Sequence, residues 1–382
     1  MRIRLAEDLL YCAMRLCKAL DRRRADLSEL QSGEVGNILL VSSTALGDAL
    51  LSTPAFRSIR LGHPNARISL LLNPAYRELF AGHPDIDEII SYQAGWWRFF
   101  RLVQVLRQGH FDIACILHGN EPQATPLAYL SGARFIFKLP NTSRFRFLLT
   151  NREPLLNWDD FGHGIEPRLK IAQLAGGALT DFRMTLPLDA AAEREATAML
   201  KAQGIGDGTP LLGLQPGAST TSRRWAPEHF VELARQLLDA HPGLRIVVTG
   251  SPQEKTLCRE ISAAIGRERA WASAGEVPLR LLPALLKRCF TLVTGDTGPM
   301  HLAVAVKTPV VALFAVSDAR RSGPAYDLDR HSVIQKWRTC DPCLSKRCPY
   351  PLPICMENIT LDEVRAAVER QFPAFAGTRH GD

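Results

Sequence analysis

Asp48 is the only carboxylate between Thr44 and Thr53. Held at a helix start and facing a cleft, such a group can act as a general base on an attacking hydroxyl. Asp is equally at home as a helix N-cap, and its spacing leaves both roles open. A second cluster, Asp296-Thr297-Gly298-Pro299-Met300-His301, follows the β-branched run Thr291–Thr294. That run breaks at Gly295, and Pro299 before an apolar stretch predicts a helix starting at once, capped by Asp296 or Thr297. A helix start offers unpaired N–H groups and the positive end of a dipole, which together bind anions. Gly298 would let a phosphate approach the backbone closely. The plainer reading is a capped βα turn. His301, one helical turn on, could reach a phosphate or a sugar hydroxyl, or serve structurally.

Arg223 and Arg224 suit bidentate phosphate contacts. The alternative is a solvated basic loop with one guanidinium over Trp225. The spacing Cys340-x2-Cys343-x4-Cys348-x6-Cys355 is that of a structural zinc or iron–sulfur site, with Pro342, Pro349 and Pro351 suiting a tight knuckle. Free thiols are the alternative, and disulfides rank last in a reducing compartment. No Gly-x-Gly-x-x-Gly follows a strand and no Gly-Lys-Ser/Thr loop occurs, which argues against a dinucleotide oxidoreductase or a P-loop enzyme. No Asp-x-Asp pair stands beside these turns to hold a metal against a diphosphate. A diphosphate leaving group would be neutralised by helix dipoles and arginines.

The elements that must position these groups read as strand, glycine-bearing turn and helix in alternation. Strands are expected at Ile38–Val41, Arg67–Leu72, Glu88–Tyr92, Ile113–Leu117 and Phe135–Phe137, then at Leu211–Leu214, Arg245–Thr249, Thr291–Thr294 and Val310–Phe314. Alternation with helices predicts parallel sheets covered on both faces, an α/β protein. His63-Pro64-Asn65-Ala66-Arg67-Ile68 and His241-Pro242-Gly243-Leu244-Arg245-Ile246 share one spacing, and each leads from a helix into a strand. The echo suggests two similar domains, joined near the turn-rich Gly204–Pro210. Thr360-Leu361-Asp362-Glu363 is a capping box that opens a last helix.

The length of 382 residues accommodates two cores, and 46% hydrophobic with 22% charged residues is an ordinary globular composition. A net charge of +7 favours anionic partners such as phosphorylated sugars, acidic lipids or nucleic acid, without choosing among them. The Leu5, Leu9, Ala13, Leu16 and Leu20 stripe, among Arg2, Arg4, Arg15, Lys18 and Arg22 to Arg24, predicts a basic amphipathic helix. It would lie on an anionic membrane or dock on the protein's own surface. No apolar run spans a membrane, and Glu7, Asp8 and Arg15 interrupt any secretory signal, so the cytoplasm is the expected compartment.

These turns together resemble the lipopolysaccharide heptosyltransferases of glycosyltransferase family 9. The matching pieces are Leu46-Gly47-Asp48-Ala49-Leu50-Leu51-Ser52-Thr53-Pro54, Leu130-Ser131-Gly132-Ala133, Pro216-Gly217-Ala218 with Arg223-Arg224-Trp225, and Gly295 to Ala303. They occur in family order across about Asn37 to Val368; residues 1–36 lie outside. The resemblance implies a GT-B fold, two Rossmann-like domains facing a central cleft. Residues 37–203 would hold the acceptor and 209–358 the donor, with 359–382 a helix packing back on the first domain. It implies inverting transfer of a heptose from ADP-heptose to the inner core of lipopolysaccharide, with no catalytic metal. Asp48 matches the proposed base, Asp296, Thr297 and Gly298 the donor-phosphate turn, and His301 a donor-side histidine. Arg223 stands where related enzymes carry a phosphate-binding lysine. Pro252 occupies the place of a ribose-binding glutamate, for which Glu254 could substitute.

For the lipid-linked acceptor, Lys138, Arg144 and Arg146 form a basic cluster interleaved with Phe145 and Phe147. Gly95-Trp96-Trp97-Arg98-Phe99-Phe100-Arg101 suits a peripheral position on the inner membrane. Competing readings are a transferase for another sugar nucleotide, an epimerase, which would consume donor without acceptor, and a nucleotide-sugar-binding protein without turnover. Nucleic acid is not an expected partner; a binder of that class would show strongly salt-dependent affinity.

Overall fold

Why the apolar runs become buried strands is plain from their composition. Ile38 to Val41, Ile113 to Leu117 and Val310 to Phe314 are almost wholly buried, as strands covered by helices on both faces must be. The computed structural model describes residues 2–23, 27, 30, 34–92, 95–119, 122–340, 343 and 348–377, with side chains from 6 to 372. Two compact units result, residues 1–187 and 188–382.

In the first unit, β1 (Asn37–Ser42), β2 (Arg67–Leu72), β3 (Glu88–Ser91), β4 (Ile113–His118) and β5 (Phe135–Lys138) form one sheet in the order β3-β2-β1-β4-β5. All pairings are parallel. In the second, β6 (Leu211–Gln215), β7 (Arg245–Val248), β8 (Ala270–Ala272), β9 (Thr291–Gly295), β10 (Val310–Phe314) and β11 (Ser332–Gln335) form a parallel sheet ordered β11-β10-β9-β6-β7-β8. Both orders reverse direction once, between β1 and β4 and between β6 and β9. Ligands of open α/β sheets bind at such points, outside the strands' carboxyl ends. β8 and β11, absent from the sequence reading, are short edge strands.

The His-Pro echo is structural. Helices Thr53–Gly62 and Pro227–Ala240 end on His63 and His241 with similar backbone angles (φ −132°, ψ 69° and φ −130°, ψ 84°), and Arg67 and Arg245 open β2 and β7. The stretch after β1 forms two helices, Leu46–Leu51 and Thr53–Gly62. Pro54 sits in the first turn of the second, where its missing N–H costs nothing.

The domain boundary falls near Pro187, ahead of Gly204–Pro210. Helix Ala190–Ala202 belongs to the second unit because Leu200 buries against Leu211, Leu285 and Cys289, while Glu193 and Glu195 pair with Lys287 and Arg280. The closing helix Leu361–Gly377 packs into the second unit's own core. Val364, Ala367 and Val368 are buried there and Phe372 stacks on His241. Its Thr360–Glu363 capping box forms as predicted.

The amphipathic helix Arg2–Leu20 exists, but its buried face is Leu10 and Met14, with Tyr11 against Phe145 and Phe147. The stripe Leu9, Ala13, Leu16 and Leu20 is exposed; the Leu5 side chain and Arg24 lie outside the described residues. Of the two readings, docking on the protein's own surface is realised through that other face. Among the described residues no helix is long and apolar enough to cross a membrane.

Candidate functional site

At the first reversal point, helix Leu46–Leu51 begins directly after β1. Asp48 lies inside its first turn, and the N-cap position is held by Ala45, so the capping role is not the one realised. The carboxylate is held by other elements. Thr44 Oγ1 donates to Oδ2 at 2.9 Å and Arg168 Nη2 donates to Oδ1 at 2.9 Å. His118 Nε2 lies 3.5 Å from Oδ1.

His118 ends β4. The β1–β4 register shifts between Val41 and Ser42, so Leu117 is an extra residue and Ser42 pairs with His118. A bulge of this kind re-aims the side chain that follows it. Nδ1 meets Thr44 Oγ1 at 2.6 Å, and the ring packs edge-on against Trp158. Burial, then the Arg168 charge, push the imidazole down to about 4, against the pull of Asp48. Lys138, at the end of β5 and 3.5 Å from Thr125 Oγ1, adds to that depression.

Arg168 comes from helix Ile165–Leu174, and its side chain is only 2% exposed. It also donates to Ser52 Oγ at 3.2 Å and to the Gly164 carbonyl, and lies over the Trp158 ring. Tyr76 stands beside the same helix start, its phenol pKa raised by burial and by the Asp48 charge. The result is a carboxylate, a neutral imidazole, a phenol and two cations around one strand end. Such a set can take a proton from a hydroxyl and hold an anionic ligand.

Of the acceptor residues expected from sequence, Lys138 joins this set. Arg144 does not: it pairs with Asp8 at 2.6 Å and covers Tyr11, fastening the N-terminal helix. Arg146 pairs with Glu153 at 3.4 Å. His118, Arg168, Trp158 and Tyr76 were missed. The Asp48 motif carried no signal for partners 28 to 120 residues away in sequence.

At the second reversal point the β6, β7 and β9 turns meet. Gln215 is buried and accepts from Thr249 Oγ1 at 2.8 Å, tying β6 to β7. Glu254 caps its own turn, its Oε2 accepting from Ser251 N and Oγ at 2.8 and 2.9 Å. Its Oε1 lies against Gly217, where a Cβ would sit 1.9 Å away; only glycine leaves that room. Asp296 is buried, accepts from Ser317 Oγ at 2.8 Å and pairs with Arg223 Nη1 at 3.4 Å. Arg223 is therefore placed on the Asp296 turn.

Arg224 is not: Nε and Nη2 both donate to the Ala218 carbonyl, closing the loop on itself. Trp225 is a buried anchor whose indole donates to Ile359 O at 3.0 Å, and no guanidinium covers it among the described cation–π pairs. Helix Gly298–Ala305 starts as predicted, with Thr297 at the N-cap. The cap hydrogen bond expected of Asp296 or Thr297 is not made, because both side chains bond elsewhere. Gly298 opens the helix and His301 is buried in its first turn.

Among the described residues no group of three or more His, Cys, Asp or Glu is placed to hold a metal ion. Cys340, Cys343 and Cys348 are half-buried and Cys355 is buried. Residues 341–342 and 344–347, Pro342 among them, lie outside the described residues.

Residues 99–353 match the glycosyltransferase family 9 (heptosyltransferase) family. The chain is 29% identical over 297 residues to lipopolysaccharide heptosyltransferase 2 of Salmonella typhimurium, covering 73% of this chain and 83% of that one. A glycosyl transferase family 9 structure from Veillonella parvula superposes with a TM-score of 0.76 at 23% identity, over 90% of this chain and 99% of its own. The structure of the Escherichia coli ADP-heptose heptosyltransferase II gives 0.74 at 23%, over 89% and 100%. The GT-B fold is thereby shown.

Removing Arg168 would leave the Asp48 environment short of a buried cation. Arg168→Met should lower unfolding free energy by about 3 kcal/mol in urea titrations, and Asp48→Asn in that background should recover part of the loss. Additive losses would mean that the pair is not coupled.

Proposed function

The chain belongs to glycosyltransferase family 9, and we propose that it transfers a heptose from ADP-heptose to the inner core of lipopolysaccharide by an inverting, metal-independent displacement. The observation that carries this reading is Asp48, a carboxylate fixed at the first reversal point in a chain of this family. Asp48 removes the proton of an acceptor hydroxyl as that oxygen attacks the anomeric carbon. Departing ADP is stabilised by the helix start at Gly298 and by Arg223, positioned charge that needs no reorganisation during the step.

Glu254, seated against Gly217, is the group for the nucleoside ribose, and Lys138 is the acceptor-side cation. His301, buried one turn along, shapes the donor pocket. The names of the relatives, which include an ADP-heptose enzyme, support this donor and acceptor.

The acceptor is lipid-linked, so the enzyme works at a membrane surface, on the cytoplasmic face of the inner membrane. Helix Trp96–Gln108 supports this. Phe99, Leu102 and Leu106 are buried, while Trp97 (93% exposed) and Phe100 project outward beside Arg98 and Arg101. Aromatic and guanidinium side chains together suit an anionic interface.

Mass spectrometry of acceptors truncated at successive inner-core steps, incubated with ADP-heptose, tests the reaction. One acceptor should gain a heptose with the wild-type protein. Asp48→Asn should slow that gain about 100-fold or more while ADP affinity by calorimetry stays unchanged. Gain with the variant at the wild-type rate would remove Asp48 as the base, and no gain on any acceptor would point to another sugar nucleotide. For the surface, Trp97→Ser with Phe100→Ser should reduce sedimentation with anionic vesicles about tenfold; equal sedimentation would place the membrane face elsewhere.

A further inference from the structure

Thr44, Asp48 and His118 form a closed triangle. Thr44 Oγ1 is 2.9 Å from Asp48 Oδ2 and 2.6 Å from His118 Nδ1, and His118 Nε2 is 3.5 Å from Asp48 Oδ1. A threonine hydroxyl has one proton to give, and a neutral imidazole one more. If Thr44 donates to Asp48, Nδ1–H must fill the 2.6 Å contact, and the Nε2 lone pair then faces the carboxylate. If Thr44 donates to Nδ1, two oxygens with no proton between them face each other at 2.9 Å. Either neutral arrangement leaves one edge of the triangle occupied by two lone pairs. The first puts that edge at 3.5 Å, where it costs least, so Nδ1 carries the proton at rest. A single additional proton, placed on Nε2, satisfies all three edges.

We propose that His118 and Asp48 accept the acceptor's proton as one unit, His118 holding it on Nε2 after Asp48 has removed it. This rests on the reading of Asp48 as base. In the transfer the acceptor oxygen bonds to the anomeric carbon, the bond from that carbon to the donor phosphate breaks with its electron pair, and ADP leaves. The hydroxyl proton passes to Asp48 and on to Nε2, from which water removes it. His118 acts through Asp48 and need not touch the sugar.

The charged groups facing the ring are Asp48 on the β1 turn, Arg168 on helix Ile165–Leu174 and Lys138 on β5. The two cations and burial keep the imidazole unprotonated near neutrality, so Nε2 is open to a proton that it holds only in passing. They equally disfavour a neutral Asp48 carboxyl as the final proton store, since Arg168 stabilises its ionised form. The triangle thus offers the proton a second site one contact away.

Two measurements test this on the full-length protein. Nitrogen-15 NMR of His118 in the wild type at pH 7 should report the Nδ1–H tautomer; an Nε2–H tautomer overturns the proposal. His118→Asn keeps a donor towards Thr44 but has no Nε2 equivalent. Its kcat should fall about tenfold with the ADP dissociation constant unchanged. The acid limb of its pH–kcat profile should move lower, because only Asp48, whose ionised form Arg168 favours, is left to titrate. An unshifted limb overturns the proposal whatever happens to kcat, since a merely structural histidine would leave it in place. If Asp48→Asn is inactive while His118→Asn matches the wild type, only the histidine's role fails. An active Asp48→Asn removes the base itself and this inference with it.

Discussion

A buried guanidinium must be answered, and in this protein the answer fixes the Asp48 carboxylate. Arg168 is almost completely withdrawn from water, and its desolvation is offset only by good partners. Those partners are Asp48, Ser52 Oγ, the Gly164 carbonyl and the face of Trp158. Helix Ile165–Leu174 is thereby tied to the turn that follows β1. Asp48 cannot rotate out towards solvent without abandoning a buried charge. The carboxylate stays oriented at the mouth of the sheet before any ligand arrives.

The two units solve opposite electrostatic problems with one architecture. Each is a parallel sheet whose strand order reverses once, and each places its chemistry at that reversal. In the first, a carboxylate and an imidazole meet beside a buried cation. In the second, a guanidinium lies on the turn that opens a helix, and Gly217 and Gly295 let loops approach side by side. A Cβ at Gly295 would meet the Arg223 carbonyl at 2.6 Å, so the Arg223 turn can reach the Asp296 turn only past a glycine.

The strands and the two reversal-point motifs were legible because their signals are local. Uninterrupted apolar runs mark strands buried on both faces, and Gly295 to Pro299 carries its own stop and start. The partners of Asp48 were illegible for the complementary reason. Arg168 and His118 lie 120 and 70 residues further along the chain, and only the fold brings them to Asp48. Arg144 was misread because a surface cation looks the same whether it awaits a ligand or, as here, holds Asp8. The N-terminal helix misled differently: Leu9, Leu16 and Leu20 form the better apolar stripe, yet Leu10 and Met14 are the residues that bury. Periodicity says that a helix is amphipathic; the surface it meets decides which side is covered.

One base and one displacement have a stereochemical consequence. Proton NMR of the product, formed from ADP-heptose and a short inner-core acceptor, gives the anomeric configuration of the new linkage directly. A configuration opposite to that of the donor is the result expected when an Asp48-activated hydroxyl attacks from the face away from ADP. Retained configuration would contradict it, because it requires a second displacement or front-face attack.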